Sequence, residues 1–344
     1  MAKTEAPPPV APSKTKTKGR AYKSPMEDGN RLAALLLSPT MLVLAAVIGY
    51  PILAAIRDSL YTQGGIDESG FVVEGDQFVG LDNYIAAFTG ESADVFFNSL
   101  YVTTFFTVVS VAIEVVIGVS MALIMNRALK GRSLIRASIL IPWAIPTAVS
   151  ALLWRWIFDA NGIANTIINQ QVLWSTDGIQ AQLAVIIADT WKTAPFIGLL
   201  VLAGLQVIPE EVYEAAKLDG VSASKQFWHI TLPLVKPALL VAVLFRILDN
   251  LRMFDLPWVL IGRGKPSVET LSILAFVQSD QSRFGPAAAY AVLLFLYVVI
   301  VAYAFVKLLG ADVIGERADK KKKSRPAGRR RPKVGRSVAR GDMA

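Results

Sequence analysis

The chain has no cysteine and a single histidine, His229, in 344 residues. Without cysteine there are no disulfides and no thiol or thiolate–metal chemistry. A lone imidazole, with no partner carboxylate and no second ligand in view, reads as structural rather than catalytic or metal-binding. No Gly-x-x-x-x-Gly-Lys-Ser/Thr phosphate loop occurs; Gly262-Arg263-Gly264-Lys265-Pro266-Ser267 has similar letters at the wrong spacing. The chain therefore cannot hold ATP in the P-loop manner, and any ATP energy has to come from a partner. No Ser-His-Asp set and no catalytic carboxylate pair emerges, so the chain reads as non-catalytic, with no metal or cofactor of its own. Charge is scarce as well, at 18% of residues, against about 25% in ordinary soluble domains.

Apolar residues fill that space. They make up 53% of the chain, and the mean hydropathy of +0.47 comes from long runs rather than from a uniform excess. A helix rises about 1.5 Å per residue, so roughly 20 apolar residues cross the hydrocarbon core. Six runs qualify, at 32–55, 100–124, 138–158, 183–205, 237–261 and 287–309. Lipid offers backbone amides no hydrogen-bond partner, so each run must satisfy its own and form a helix. The expected fold is all-α: a polytopic membrane protein with six transmembrane helices. The first run is too long for a signal-peptide core and reads as an uncleaved span.

Lysine and arginine set the orientation. The N-terminal tail, the connection after the second run (Arg127, Lys130, Arg132, Arg136) and the C-terminal tail (320–323, 329–331) are basic, whereas residues 57–98 are rich in acids. Both termini are thus expected in the cytoplasm of a cell-membrane protein. Residues 1–30 read as a disordered basic tail, 31–310 as the membrane domain and 311–344 as a second basic tail. The net charge of +8 is accounted for by these tails. It calls for anionic lipid at most, and not for nucleic acid.

Between the fourth and fifth runs, at 207–236, lies a polar segment containing Glu214-Ala215-Ala216-Lys217-Leu218-Asp219-Gly220 and Ile230-Thr231-Leu232-Pro233. Pro209 suits a first helical position, and Glu210 and Glu211 suit the positive helix end. Asp219-Gly220 breaks the helix, Gly taking a positive φ cheaply. Ser222 is expected to cap a second short helix that stops before Pro233 and Pro237. The segment reads as a helix–turn–helix on the cytoplasmic membrane surface.

The spacing Glu-Ala-Ala, then Gly, then Ile-x-Leu-Pro resembles the coupling loop of binding-protein-dependent ABC importer permeases. The resemblance extends to Phe78-Val79-Gly80-Leu81-Asp82-Asn83-Tyr84, to Pro142-Trp143-Ala144-Ile145-Pro146, to Asp189-Thr190-Trp191 and to the Gly-rich stretch 262–266. It is strongest toward carbohydrate-type permeases, in particular the larger subunit of disaccharide importers, with actinobacterial trehalose-importer permeases among them. It implies the ABC importer permease fold and a second permease subunit. It also implies two ATPase subunits that bind ATP and magnesium, an extracellular solute-binding protein and a disaccharide cargo. Glu214, Ala215, Ala216, Asp219 and Gly220 would grip the ATPase.

Charged groups inside spans are costly and mark a pathway, a buried pair or a polar interface. Arg246, Asp249 and Asn250 stand at i, i+3 and i+4, one face of the fifth run, while Asp189, Thr190, Lys192 and Thr193 make the fourth polar. These faces are expected to meet around a hydrated cavity. Matching the family's sugar contacts implies Trp143 and Thr147 on the third span, Asp189, Thr193 and Phe196 on the fourth, and Arg246, Asp249 and Asn250 on the fifth. Asp189, Arg246 and Asp249 depart from that largely uncharged pattern; they are sugar ligands or, for Arg246 and Asp249, a structural ion pair. Glu114 reads as pairing with a neighbouring helix or subunit, Gly118 as close helix packing, and Trp154 and Trp156 as interfacial anchors. The alternatives are a permease for a polyol or glycerol phosphate, and an ion-driven secondary transporter.

Overall fold

The computed structural model describes residues 25–62, 65–66, 72–73, 75–127 and 130–310. The tail residues 1–24 and 311–344 lie outside these. The chain divides into two compact units at Ala54. The first holds α1 (Pro25–Leu44), a π-turn at Ala45–Gly49, and the start of α2 (Tyr50–Asp58). The window Leu32–Asp58 is long and apolar enough to cross a membrane, as expected of the first run.

The second unit opens with two short antiparallel ladders, β1 (Tyr61–Thr62) with β4 (Gln77–Phe78) and β2 (Gly65–Ile66) with β3 (Val72–Val73). Helix α3 (Asp82–Phe88) leads into α4 (Gly90–Asn126), which starts ten residues before the expected second span. Its 37 residues run about 55 Å, so it projects beyond the hydrocarbon layer. Helix α8 (Ile179–Leu205) is the central element, with 72% of its apolar window buried. Helices α4, α5 (Arg132–Ala144) and α11 (Leu232–Asn250) pack on it.

Small residues set these distances. A Cβ on Gly118 would come within 2.7 Å of Ile197 Cβ and 2.9 Å of the Ala194 carbonyl, so α4 lies against α8 with no room for a side chain. A Cβ on Gly204 would lie 2.8 Å from Ala238 Cβ, which brings α11 equally near α8. The close packing expected at Gly118 is therefore present.

Two expected spans are built differently. The third, 138–158, is not one helix: α5 ends at Ala144, α6 (Thr147–Ile157) begins three residues on, and the two are bent by 95°. Pro146 lacks an N–H and forces Ile145 into extended backbone (φ −75°, ψ 133°), so the hydrogen-bond ladder cannot cross this point. The fifth run ends early, at Asn250, and restarts after a turn as α12 (Asp255–Leu260). At its other end it does not stop before Pro233 and Pro237. A π-turn at Phe227–Thr231 joins α10 (Ala223–Gln226) to α11, making one helical run of 28 residues through both prolines. Pro233 falls in the first turn of α11, where a missing N–H is harmless. Among the described residues five helices can cross a membrane, or six if the bent pair counts as one.

The remaining helices are α7 (Ile163–Ile168), α9 (Glu210–Leu218), α13 (Leu271–Asp280) and α14 (Phe284–Phe305). Helix α13 packs on α14, and α12 lies against α6.

Candidate substrate cavity and coupling surface

The polar faces of α8 and α11 do meet, and the sequence-predicted residues gather there. Arg246 is the hub. Its Nε and Nη2 donate to Glu114 Oε2 and Oε1 at 2.7 and 2.9 Å, its Nη2 to Asp189 Oδ2 at 3.2 Å, and its Nη1 to Asp249 Oδ2 at 2.6 Å. Asn250 Nδ2 donates to the same Asp189 oxygen at 3.2 Å. The Thr193 hydroxyl lies 2.8 Å from Glu114 Oε1 and 2.6 Å from the Asp189 carbonyl. One guanidinium thus ties α4, α8 and α11 together. Glu114 pairs with a neighbouring helix, as its position in an apolar run suggested. Arg246 and Asp249 form the ion pair that was one of their two readings.

Depth separates the three carboxylates. The Glu114 side chain is fully buried and that of Asp189 is 8% exposed, whereas that of Asp249 is 66% exposed. Two adjoining cavities open on the cluster. The larger, about 390 Å³, is lined by Trp143, Lys192, Thr193, Phe196, Arg246 and Asp249, among others. The smaller, about 120 Å³, is lined by Thr147, Asp189, Thr193, Arg246, Asp249 and Asn250, with Lys192 and Arg252 again at its wall. All eight residues matched to the family's sugar contacts therefore border one cavity or the other. The Trp143 and Phe196 rings stack at 5.9 Å, and Phe245 meets Phe196 edge-on at 6.5 Å.

Two groups keep bonding capacity in reserve. Asn250 Oδ1 is buried with no hydrogen-bond partner. Lys192 is 8% exposed and makes no ion pair among the described residues. Lys192, Arg252 and Phe245 were not in the matched set. Lys192 and Arg252 are visible in the sequence as charges in or beside spans, but Phe245 carries no such signal. The bend before Thr147 aims the start of α6 at the smaller cavity.

Trp154 is not an interfacial anchor. It stacks on Phe158 at 5.2 Å and meets Trp191 edge-on at 5.6 Å, inside the packing of α6 against α8. Trp156, by contrast, is 77% exposed.

At the other end of α8, the polar segment folds as a short helix, a turn and a second helical run. Pro209 is the extended residue before α9 (φ −62°, ψ 141°) rather than its first helical residue; Glu210 and Glu211 occupy the first turn. Gly220 has φ +72°, and Val221 N donates to the Ala216 carbonyl at 3.0 Å, closing the turn where expected. Ser222 precedes α10 but makes no side-chain cap; the segment is held instead by Gln226 Nε2 donating to the Tyr213 carbonyl at 3.4 Å. Glu214, Ala215, Asp219 and Gly220 are exposed and Ala216 is buried. Leu218 is 88% exposed and Val207 80%, an apolar surface with no cover among the described residues. His229 lies in the π-turn beside the Lys225 carbonyl at 3.1 Å, in keeping with a structural role.

Comparison with known proteins agrees with this architecture. Residues 114–315, more than half of the chain, match the family described as binding-protein-dependent transport system inner membrane component. The trehalose/maltose transport system permease protein MalF of Thermococcus litoralis is 40% identical over 284 residues, 81% of this chain and 93% of that one. The trehalose transport system permease protein SugA of Mycobacterium tuberculosis H37Rv is 36% identical over 288 residues, 83% of this chain and 91% of that one. A chain from the crystal structure of a bacterial alginate ABC transporter, in complex with an alginate pentasaccharide-bound periplasmic protein, superposes with a TM-score of 0.70. It covers 83% of this chain and 97% of its own at 18% identity, a likeness of fold. The chain belongs to the binding-protein-dependent transport system inner membrane component family, and is a multi-pass, membrane-embedded ABC transporter permease.

Proposed function

We propose that this permease is one of two membrane subunits of an ATP-driven importer for a disaccharide, with trehalose the leading candidate. The observation that supports it most is the convergence of all eight matched residues on two adjoining cavities around Arg246. Sugars need such a mixture: carboxylate, amide and ammonium groups for hydroxyls, aromatic faces for C–H surfaces. The exposed side of Asp249, the unpartnered Asn250 Oδ1 and the Lys192 ammonium bond hydroxyls, and the Trp143–Phe196 pair covers a ring face. Glu114 and Thr193 hold Arg246 in position from behind.

A solute-binding protein delivers the sugar to the outer face, with both chain termini on the cytoplasmic side. Two ATPase subunits, which carry the ATP and magnesium, engage Glu214, Ala215, Ala216, Asp219 and Gly220 on α9 and the following turn. ATP binding favours one conformation over the other, and the coupling segment transmits that preference to α8 and α11, which it joins. The exposed Leu218 and Val207 give the ATPase an apolar foothold.

Lys192 and Arg252 at the cavity wall favour a second reading, a polyol phosphate. Uptake competition in a deletion strain, using labelled trehalose against a panel of disaccharides and glycerol phosphate, separates the two. Disaccharide competition lost in Trp143→Ala and Asp249→Ala supports the first. Competition by glycerol phosphate alone refutes it.

A further inference from the structure

A separate cavity, of about 360 Å³, lies at the opposite end of α8 from the coupling segment. Its walls come from the end of α6 (Arg155, Phe158), the turn after it (Asp159), the strap before α8 (Trp174, Ser175), the end of α12, and Lys265. Helix α8 has 27 residues and is about 40 Å long, so a full membrane thickness separates this cavity from α9. With the coupling segment in the cytoplasm, the cavity faces outward.

Its lining is assembled, not incidental. Asn165, 5% exposed, ties the strap together: Nδ2 donates to the Ala160 and Val172 carbonyls, both at 3.0 Å, and Oδ1 accepts from Trp174 Nε1 at 2.8 Å. The indole is thereby fixed, its ring 4.8 Å from that of Phe158 at 37°. The loop carrying Lys265 is clamped by Ser267, whose N and Oγ donate to Asp177 Oδ1 at 2.9 and 2.6 Å. Arg155, Asp159 and Lys265 share this cavity, yet none of them forms an ion pair among the described residues. Two cations, a carboxylate that accepts only from Asn161 N at 3.1 Å, and the Ser175 hydroxyl therefore line one cavity with the fixed Trp174 and Phe158 rings. Asp159 offsets one of the two cations, so the lining offers both donors and acceptors. A polyhydroxyl ring satisfies all of these groups, and the volume lies within the range of small-molecule sites, roughly 300–1,000 Å³.

The same two helices, α6 and α12, frame this cavity and the central one. Thr147 at the start of α6 and Asp255 at the start of α12 border the smaller central cavity, while the far ends of the same two packed helices border the outer one. Eleven residues of α6 separate Thr147 from Phe158, about 16 Å.

We infer that the outer cavity is a receiving site for a saccharide, which holds the sugar between its release by the binding protein and its arrival at the Arg246 cavity. The inference rests on the sugar-importer reading. The test uses the intact transporter, reconstituted with its ATPase subunits and binding protein, and reads labelled trehalose carried per ATP hydrolysed alongside ATPase stimulation by the loaded binding protein. Trp174→Ala and, separately, Lys265→Gln lower trehalose per ATP about fivefold because released sugar escapes, with ATPase stimulation unchanged. Trp174→Phe retains most of the ratio. An unchanged ratio in both variants overturns the receiving site alone. A parallel fall in ATPase stimulation overturns it in favour of a docking role for this face. A wild-type complex that carries no saccharide overturns the assignment of both cavities.

Discussion

Removing Arg246 and removing Glu114 have very different consequences, although the two form a single buried ion pair. Arg246 contacts three carboxylates, and two of them, Glu114 and Asp189, have side chains that are 0% and 8% exposed. Arg246→Gln leaves both as buried charges with no cation in contact. Stripping a buried charge of its partner costs about 3–5 kcal/mol, while the pair with the exposed Asp249 adds roughly 0–1. Glu114→Gln leaves Arg246 facing Asp189 and Asp249 and preserves an acceptor for Thr193, so the loss is that of a charge-assisted bond, about 1–2 kcal/mol. The difference of roughly 1–4 kcal/mol is a factor of about 5–900 in an equilibrium. Quantifying assembled transporter in membranes, and its aggregation midpoint in detergent, reads this directly: Glu114→Gln assembles and Arg246→Gln does not. The triple variant Glu114→Gln, Asp189→Asn, Arg246→Gln removes every buried charge of the hub and assembles again, without transporting. Arg246→Gln assembling as well as Glu114→Gln, or a triple variant no better than Arg246→Gln, would refute the single-cation account.

Three further outcomes are expected. Glu214→Lys and Gly220→Pro each abolish uptake and ATP-coupled turnover while the protein still inserts, since one reverses a charge on the exposed face of α9 and the other cannot adopt φ +72°; normal uptake by both would remove the coupling role. Gly118→Ala drives a methyl to 2.7 Å from Ile197 Cβ, which costs about 1–3 kcal/mol and lowers the aggregation midpoint, whereas Gly75→Ala, with nothing within 4 Å, is tested only for its positive φ and costs less. The Ser267 bonds hold the Asp177 carboxyl below its ordinary value of 3.8. Because the folded value is depressed, the clasp is at full strength above the ordinary value and weakens as pH falls through the lower one; limited proteolysis between 262 and 266 should therefore rise in acid, and Ser267→Ala, which keeps the backbone N–H bond but loses the hydroxyl one, should reduce the pH dependence.

The apolar runs revealed which stretches cross the membrane, because hydrocarbon imposes that requirement on each span separately. They were blind to interruptions. Pro146 was visible in the third run, yet apolar length alone joins 138–158 into one span, and only the extended Ile145 exposes the corner. In the fifth run the same type of residue misled in the opposite sense, since a π-turn carries the helix past Pro233 and Pro237. The i, i+3, i+4 spacing of Arg246, Asp249 and Asn250 was enough to find a polar face. That Glu114, 132 residues earlier, completes the hub depends on how α4 crosses α11, and no local pattern contains that. The outer cavity shares this property: Trp174 and Lys265 come from two separate connections and Arg155 from the end of α6.

The glycine seams constrain how the molecule can move. With Gly118 against Ile197 and the Ala194 carbonyl, and Gly198 within reach of the Gly118 carbonyl and Met121, the facing surfaces of α4 and α8 interlock too deeply for one helix to slide along the other. Gly204 against Ala238 fastens α11 to the same block. Helices α8, α11 and α4 therefore form a single body, which under the proposed coupling role would act as a lever rather than a set of independent rods. The parts left to yield are the elbow at Ile145–Pro146, flanked by the cavity-lining Trp143 and Thr147, and the turn between Asn250 and Asp255, which lines the smaller cavity itself.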